Sequence, residues 1–118
     1  MDIESFRDYC LSLPGTTEGM KWGHLCFMIE EKIYLIIAID NGNKFSIKCD
    51  PNEFDTLTAR DGIAQAYHLA KRQWIQVENL EVLYTKELKE RVATSRALVL
   101  AKLPKKIQAL YVGLNGSA

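Results

Sequence analysis

The spacing of apolar positions along this chain changes period several times, and each change marks an element. Ile3, Phe6, Cys10 and Leu13 recur at the spacing that gathers side chains on one face of an α-helix. Asp2 is a suitable N-cap, and Pro14-Gly15 stops the helix near Leu13. Thr16 to Gly23 reads as a connecting loop carrying Lys21 and Trp22. Cys26 to Glu30 is the first strand expected, with a turn at Glu30-Glu31-Lys32. Ile33 to Ile39 is β-branched and apolar on both faces, the pattern of a central strand. Asp40-Asn41-Gly42-Asn43 is the strongest turn signal, because Asn-Gly takes the two positive φ values of a type I′ hairpin. Phe45, Ile47 and Cys49 then alternate with Lys44, Ser46 and Lys48, which predicts a half-buried strand with one wet, basic face.

Further on, Asp50-Pro51-Asn52-Glu53 supplies an N-cap, a proline at the first helical position and a carboxylate to complete the cap. Phe54 and Leu57 point inward from a short helix closed by Asp61-Gly62. Tyr67 to Val77 reads as a second hairpin turning at Lys71-Arg72. In that register Tyr67, Leu69, Trp74 and Gln76 share one face, expected against the helices. His68, Ala70, Gln73 and Ile75 share the other, expected to look outward. Thr85 is placed as the cap of the longest helix, with Leu88, Val92, Ser95 and Val99 on one stripe. Pro104 interrupts it and starts a last short helix with Ile107, Leu110 and Tyr111. Asn115 to Ala118 are expected to fray.

The order α, three strands, α, two strands, α, α predicts an α+β fold. Its form is a two-layer sandwich, an antiparallel sheet of about five strands with helices on one face. The other sheet face is left open for a partner. A chain of 118 residues fits one domain spanning 1–118.

Composition narrows the function classes. Fifteen Lys and Arg balance fifteen Asp and Glu, which argues against avid non-specific nucleic-acid binding but leaves room for a local basic patch. Cys10, Cys26 and Cys49 are odd in number and lack CxxC spacing, so reduced, buried thiols and a cytoplasmic setting are expected. The acidic start Met1-Asp2-Ile3-Glu4 is unlike a signal peptide. The run Ile33 to Ile39 is too short to span a bilayer, so no membrane role is expected.

Catalytic patterns are absent from the sequence. There is no Gly-rich phosphate loop, GxSxG or HExxH, and only His24 and His68 are available as imidazoles. A non-enzymatic protein without a cofactor is expected. His24 reads as a structural histidine and Trp22 as a lid on the core. Asp2, Glu4 and Asp8 do not form the acidic ridge that a carrier of hard cations needs. Lys71 and Arg72 at the predicted hairpin tip suit either of two roles: straddling phosphates, or keeping a turn solvated against edge-to-edge pairing.

Several stretches resemble the MmcQ/YjbR family along nearly the whole chain. They are Tyr9-Cys10-Leu11-Ser12-Leu13-Pro14-Gly15 with Glu18, Lys48-Cys49-Asp50-Pro51, Tyr67-His68 with Lys71-Arg72 and Trp74, and Leu103-Pro104-Lys105-Lys106. Ala70 and Gln73 depart from the family pattern, which has asparagine and histidine there. The resemblance implies a CyaY/frataxin-like fold and a double-wing mode of binding DNA, with two hairpins as wings. On that reading Lys44, Lys48, Lys71 and Arg72 contact phosphate, and His68 and Gln73 contact sugar or base edges. Binding would be weak and salt-sensitive. The alternative is a protein-interaction or small-ligand adaptor that uses the open sheet face.

Overall fold

The computed structural model describes residues 1–113; the expected fraying at Asn115 to Ala118 lies outside them. Helix α1 (Ile3–Ser12) starts where the cap predicts. Asp2 is extended, and its Oδ1 accepts the Ser5 N–H at 2.7 Å. That bond is the chief reason the Asp2 carboxyl sits below its ordinary pKa.

The segment after Pro14-Gly15 is not a loop. Thr16–Lys21 forms strand β1, paired antiparallel with β2 (His24–Ile29). Its polar Thr-Thr-Glu run hid it, because an edge strand need bury little. The turn is Trp22-Gly23, with φ of 53° and 79°. Glu30 and Glu31, also at positive φ, turn the chain into β3 (Lys32–Ala38).

The next loop differs from the type I′ turn expected on Asn41-Gly42. Ile39–Asn41 makes one 3₁₀ turn, and the positive φ values fall on Gly42 and Asn43. The Asn43 N–H closes the loop on the Ala38 carbonyl at 3.1 Å, ahead of β4 (Lys44–Lys48). Pro51–Glu53 is a 3₁₀ turn capped by Asp50, and α2 (Phe54–Thr58) follows. Glu53 does not complete that cap; its carboxylate accepts from Arg91 at 3.0 Å.

The second hairpin is also rearranged. β5 (Ile63–Gln65) pairs with β6 (Trp74–Val77), and 66–73 is the loop between them. Ile75 and Val77 are therefore the buried pair, while Trp74 is half-buried on the opposite face and Tyr67 is 79% exposed. The sequence pattern of Tyr, Leu and Trp suggested the reverse. Two buried β-branched residues outcompete one tryptophan for the core, since alternation lets only one set face inward.

Helix α3 (Thr85–Leu100) buries the expected stripe of Leu88, Val92, Ser95 and Val99. Its N-cap is Tyr84, which makes no side-chain cap bond, so Thr85 is the first helical residue and not the cap. Helix α4 (Lys105–Gln108) and a 3₁₀ turn at Ala109–Tyr111 complete the described chain.

The sheet has six antiparallel strands in the order β1-β2-β3-β4-β6-β5. One face carries Phe27, Leu35, Ile37, Phe45, Ile47, Ile75 and Val77 into a core closed by Phe6 and Cys10 of α1 and Val92 of α3. The Phe6 and Phe45 rings meet with centroids 5.6 Å apart. Tyr34 is an extra residue of β3 at the shift in the β2–β3 register. Its carbonyl accepts from Ser95 Oγ at 2.6 Å, and the same Oγ accepts the Lys48 N–H at 2.8 Å. One serine thus fastens α3 across two strands. The three thiols are free and buried, and burial pushes that of Cys10 up to about 12.

The arginines join helix to helix and helix to sheet. Arg7 pairs with Glu18, Arg60 is bidentate to Glu87, and Arg91 bridges Glu53 and Glu87. Arg60, ahead of Arg91, holds the Glu87 carboxyl below its usual range. Such a group stabilises the fold above the ordinary glutamate value of 4.5, and that contribution is lost as pH falls through the lowered pKa. A Glu87→Gln variant is therefore expected to melt below the parent at neutral pH and to converge with it in acid. A melting gap that stays constant across that pH range would contradict this assignment.

Candidate binding groove on the open sheet face

The face without helices is built by the same alternation that fills the core. Gly19, Cys26, Ile36, Ser46, Gln76 and Ala64 stand opposite one another across all six strands. Over Ile36, Ser46 and Gln76 runs a groove of about 540 Å³, within the range of small-ligand sites.

Two turns wall it. On one side the β1–β2 turn presents Trp22, 77% exposed. On the other, Tyr67, His68 and Leu69 come from the loop between β5 and β6, and the Tyr67 and His68 rings meet at 4.0 Å. Both walls contain a non-glycine residue at positive φ: 53° for Trp22 and 63° for His68. For side chains of this size such a backbone is costly, and it concentrates at functional sites. The Gln65 amide shapes the loop. Its Nε2 donates to the Ala66 carbonyl at 2.8 Å, and its Oε1 accepts the Arg72 N–H at 2.9 Å.

Polar chemistry in the groove is sparse and one-sided. Lys44, Ser46, His24 and Gln76 line it, and no carboxylate does. Lys44 makes no ion pair among the described residues. His24 Nδ1 is shielded from solvent and has no hydrogen-bond partner among the described residues. Among the described residues no group of three or more His, Cys, Asp or Glu stands ready to hold a metal ion. No helix there is long and apolar enough to cross a membrane.

The structure divides the six residues singled out in the sequence. Lys44 and His68 meet at the groove. Lys48 lies on the same face beside Trp74, and burial, then the charge of Lys102, lowers its pKa. Gln73 continues the β4–β6 register opposite Cys49, a core residue, and so shares the helix side, not the outward face expected for it. Arg72 does not sit free at a hairpin tip. Its guanidinium binds both Asp55 carboxylate oxygens at 2.9 and 3.0 Å and lies over the Phe54 ring of α2. Lys71 is exposed. The wall residues Trp22 and Tyr67 and the lining residue His24 were assigned to structural roles by sequence. The signal for Trp22 was present in Lys21-Trp22-Gly23-His24, an X-Gly dipeptide between residues able to pair.

The YjbR family model matches residues 11–98. The chain belongs to the YjbR family. Among solved structures it is similar to the Deinococcus radiodurans protein DR2400, a DUF419 domain, at 25% identity with a TM-score of 0.86 over 98% of this chain and 91% of that one. It is also similar to a Pseudomonas syringae protein. The crystal structure of that protein matches at 26% identity and a TM-score of 0.68, over 83% of this chain and 98% of that one. Its solution structure matches at 22% and 0.64, over 89% and 96%. No curated protein matches the chain.

Several stretches that carried the resemblance to YjbR do architectural work here. Arg96 donates to the Pro14 carbonyl, and the Tyr111 ring lies so close to Gly15 that a Cβ there would stand 2.5 Å from it. Asp50 caps the turn into α2, and Lys48 gives its N–H to Ser95. Leu103-Pro104-Lys105-Lys106 lies beyond the matched span. Tyr67-His68 is the stretch that reaches the groove.

Proposed function

We propose that this YjbR-family protein is a non-enzymatic binding module that takes its ligand in the groove on the open sheet face. One observation carries the reading: both walls are aromatic residues held at or beside a strained backbone position, over a floor that no helix covers. The two-residue turn requires a positive φ at position 22, but folding alone gives no reason to place a tryptophan there with its ring in water. A mode in which basic hairpin tips grip duplex DNA has less support. Arg72 pairs with Asp55 and lies over Phe54, and 66–73 is a loop folded partly onto α2 and partly onto the open face, not a projecting hairpin tip.

The reading is tested with anilinonaphthalene sulfonate, a planar aromatic anion that brightens in apolar sites. Saturable binding to one site is expected. Trp22→Ala combined with Tyr67→Ala should weaken it about tenfold, the loss of about 1.4 kcal/mol of contact, while Arg72→Ala leaves it unchanged. Equal binding by the parent and the double variant sinks the proposal.

A further inference from the structure

The charge balance of the whole chain conceals a segregation. Arg7, Arg60, Arg72 and Arg91 are spent on Glu18, Glu87, Asp55 and Glu53. Lysines on the open face make no ion pair among the described residues: Lys44 in the groove, which shares the adjoining hollow with Glu78, and Lys48 further along the same strand with Lys102 close enough to repel it. Lys44 and Lys48 lie on one side of β4, four residues apart. At the usual rise per residue their backbones are about 13 Å apart, too far for a single phosphate to serve both. The groove between Trp22 and Tyr67–His68 offers flat aromatic surface with donors and acceptors at its base from Ser46 and Gln76.

Those features match a heteroaromatic ring bearing polar edges and joined to more than one phosphate. We infer that the groove takes an unpaired base of a single-stranded nucleic acid, with neighbouring phosphates of the strand on Lys44 and Lys48. Each part has a physical role. Aromatic walls stack on a base face without regard to sequence. Ser46 and Gln76 meet the base edge. The lysines supply the salt-dependent part. A duplex keeps its bases stacked inside and cannot fill the groove, so the inference separates this mode from hairpin wings on duplex DNA. It rests on the binding module proposed above and names its ligand class.

The test is fluorescence anisotropy with a labelled random-sequence single-stranded DNA oligomer. The competitors are the same sequence as duplex, an abasic oligomer of equal length, and a free mononucleotide. The single strand is expected to bind at least about tenfold tighter than each of the three. Trp22→Ala with Tyr67→Ala should cost about tenfold. Lys44→Ala with Lys48→Ala should flatten the salt slope by about 1.4, two phosphates at ~0.7 each. All four positions are exposed or half-buried, and an unchanged amide spectrum checks that the variants fold.

Equal affinity for the abasic oligomer overturns the base contact. Equal affinity for the mononucleotide overturns the polymer and makes a free nucleotide the occupant. Equal affinity for duplex overturns the unpaired base. If the dye binds the groove and the oligomer does not bind, this inference fails while the binding module stands. If neither binds, both fail.

Discussion

Ser95→Ala is expected to destabilise the protein by about 2–3 kcal/mol, far more than removal of one hydroxyl suggests. The serine is fully buried in α3. Its Oγ donates to the Tyr34 carbonyl and accepts from the Lys48 N–H, two backbone groups on adjacent strands. The extra residue in β3 takes the Tyr34 carbonyl out of the regular ladder, so the helix must satisfy it. Alanine leaves both groups without partners where water does not reach. Each such orphan costs about 1–3 kcal/mol, with partial relaxation reducing the sum. Urea denaturation should show a lower midpoint at unchanged slope. A loss below about 0.5 kcal/mol would mean that the strands close the gap themselves, and that the serine is not the fastener between layers.

Trp22→Gly is expected to move stability and binding in opposite directions. Glycine reaches φ of 53° without a side-chain penalty, and the indole it replaces is mostly in water. Relief of about 1–2 kcal/mol follows, offset in part by the freedom glycine adds to the unfolded chain, so a small net gain is expected. Binding of the aromatic dye or of the single-stranded oligomer should fall about tenfold or more, because one wall is gone. Thermal melting and a binding titration on the same sample check both signs. A glycine variant that melts lower would show that Trp22 is held by packing, and the strain argument for the groove would collapse. Retained strain with a functional return is the usual relation between stability and activity at such sites.

The core was legible because it is periodic. Leu88, Val92, Ser95 and Val99, and Ile3, Phe6, Cys10 and Leu13, announce helical faces whatever surrounds them. Phe45 and Ile47 likewise fix which face of β4 turns inward. What the sequence hid were elements whose residues follow no burial pattern. β1 is an edge strand of threonine, glutamate and glycine, held by its pairing with β2, the Arg7–Glu18 pair and a bond between Thr16 and Tyr34. Only the Trp22-Gly23 dipeptide at its end marks it.

The site was harder to read than the fold because its two walls lie far apart in the chain. Lys44 and His68 stood out as polar or basic residues near turns. Trp22 and Tyr67 look like core residues by composition, and only the backbone conformation that exposes them reveals otherwise. Arg72 misled for the converse reason. A cation in a loop reads as free until its partner, Asp55 of α2, is seen beside it.

Strands β1 to β4 follow one another as a meander, each beside its predecessor, and carry Trp22. β5 and β6 form a separate hairpin that carries Tyr67 and His68 and joins the meander only where β6 lies against β4. The groove therefore straddles the single seam of strand pairing that joins the hairpin to the meander, and that seam sets the spacing of its walls. Loosening that seam would part the walls and open the core as well, since Ile75 and Val77 of β6 pack in it. Anything held between the walls bridges hairpin and meander and closes the seam from outside. A ligand held there would act as a last strut of the sheet.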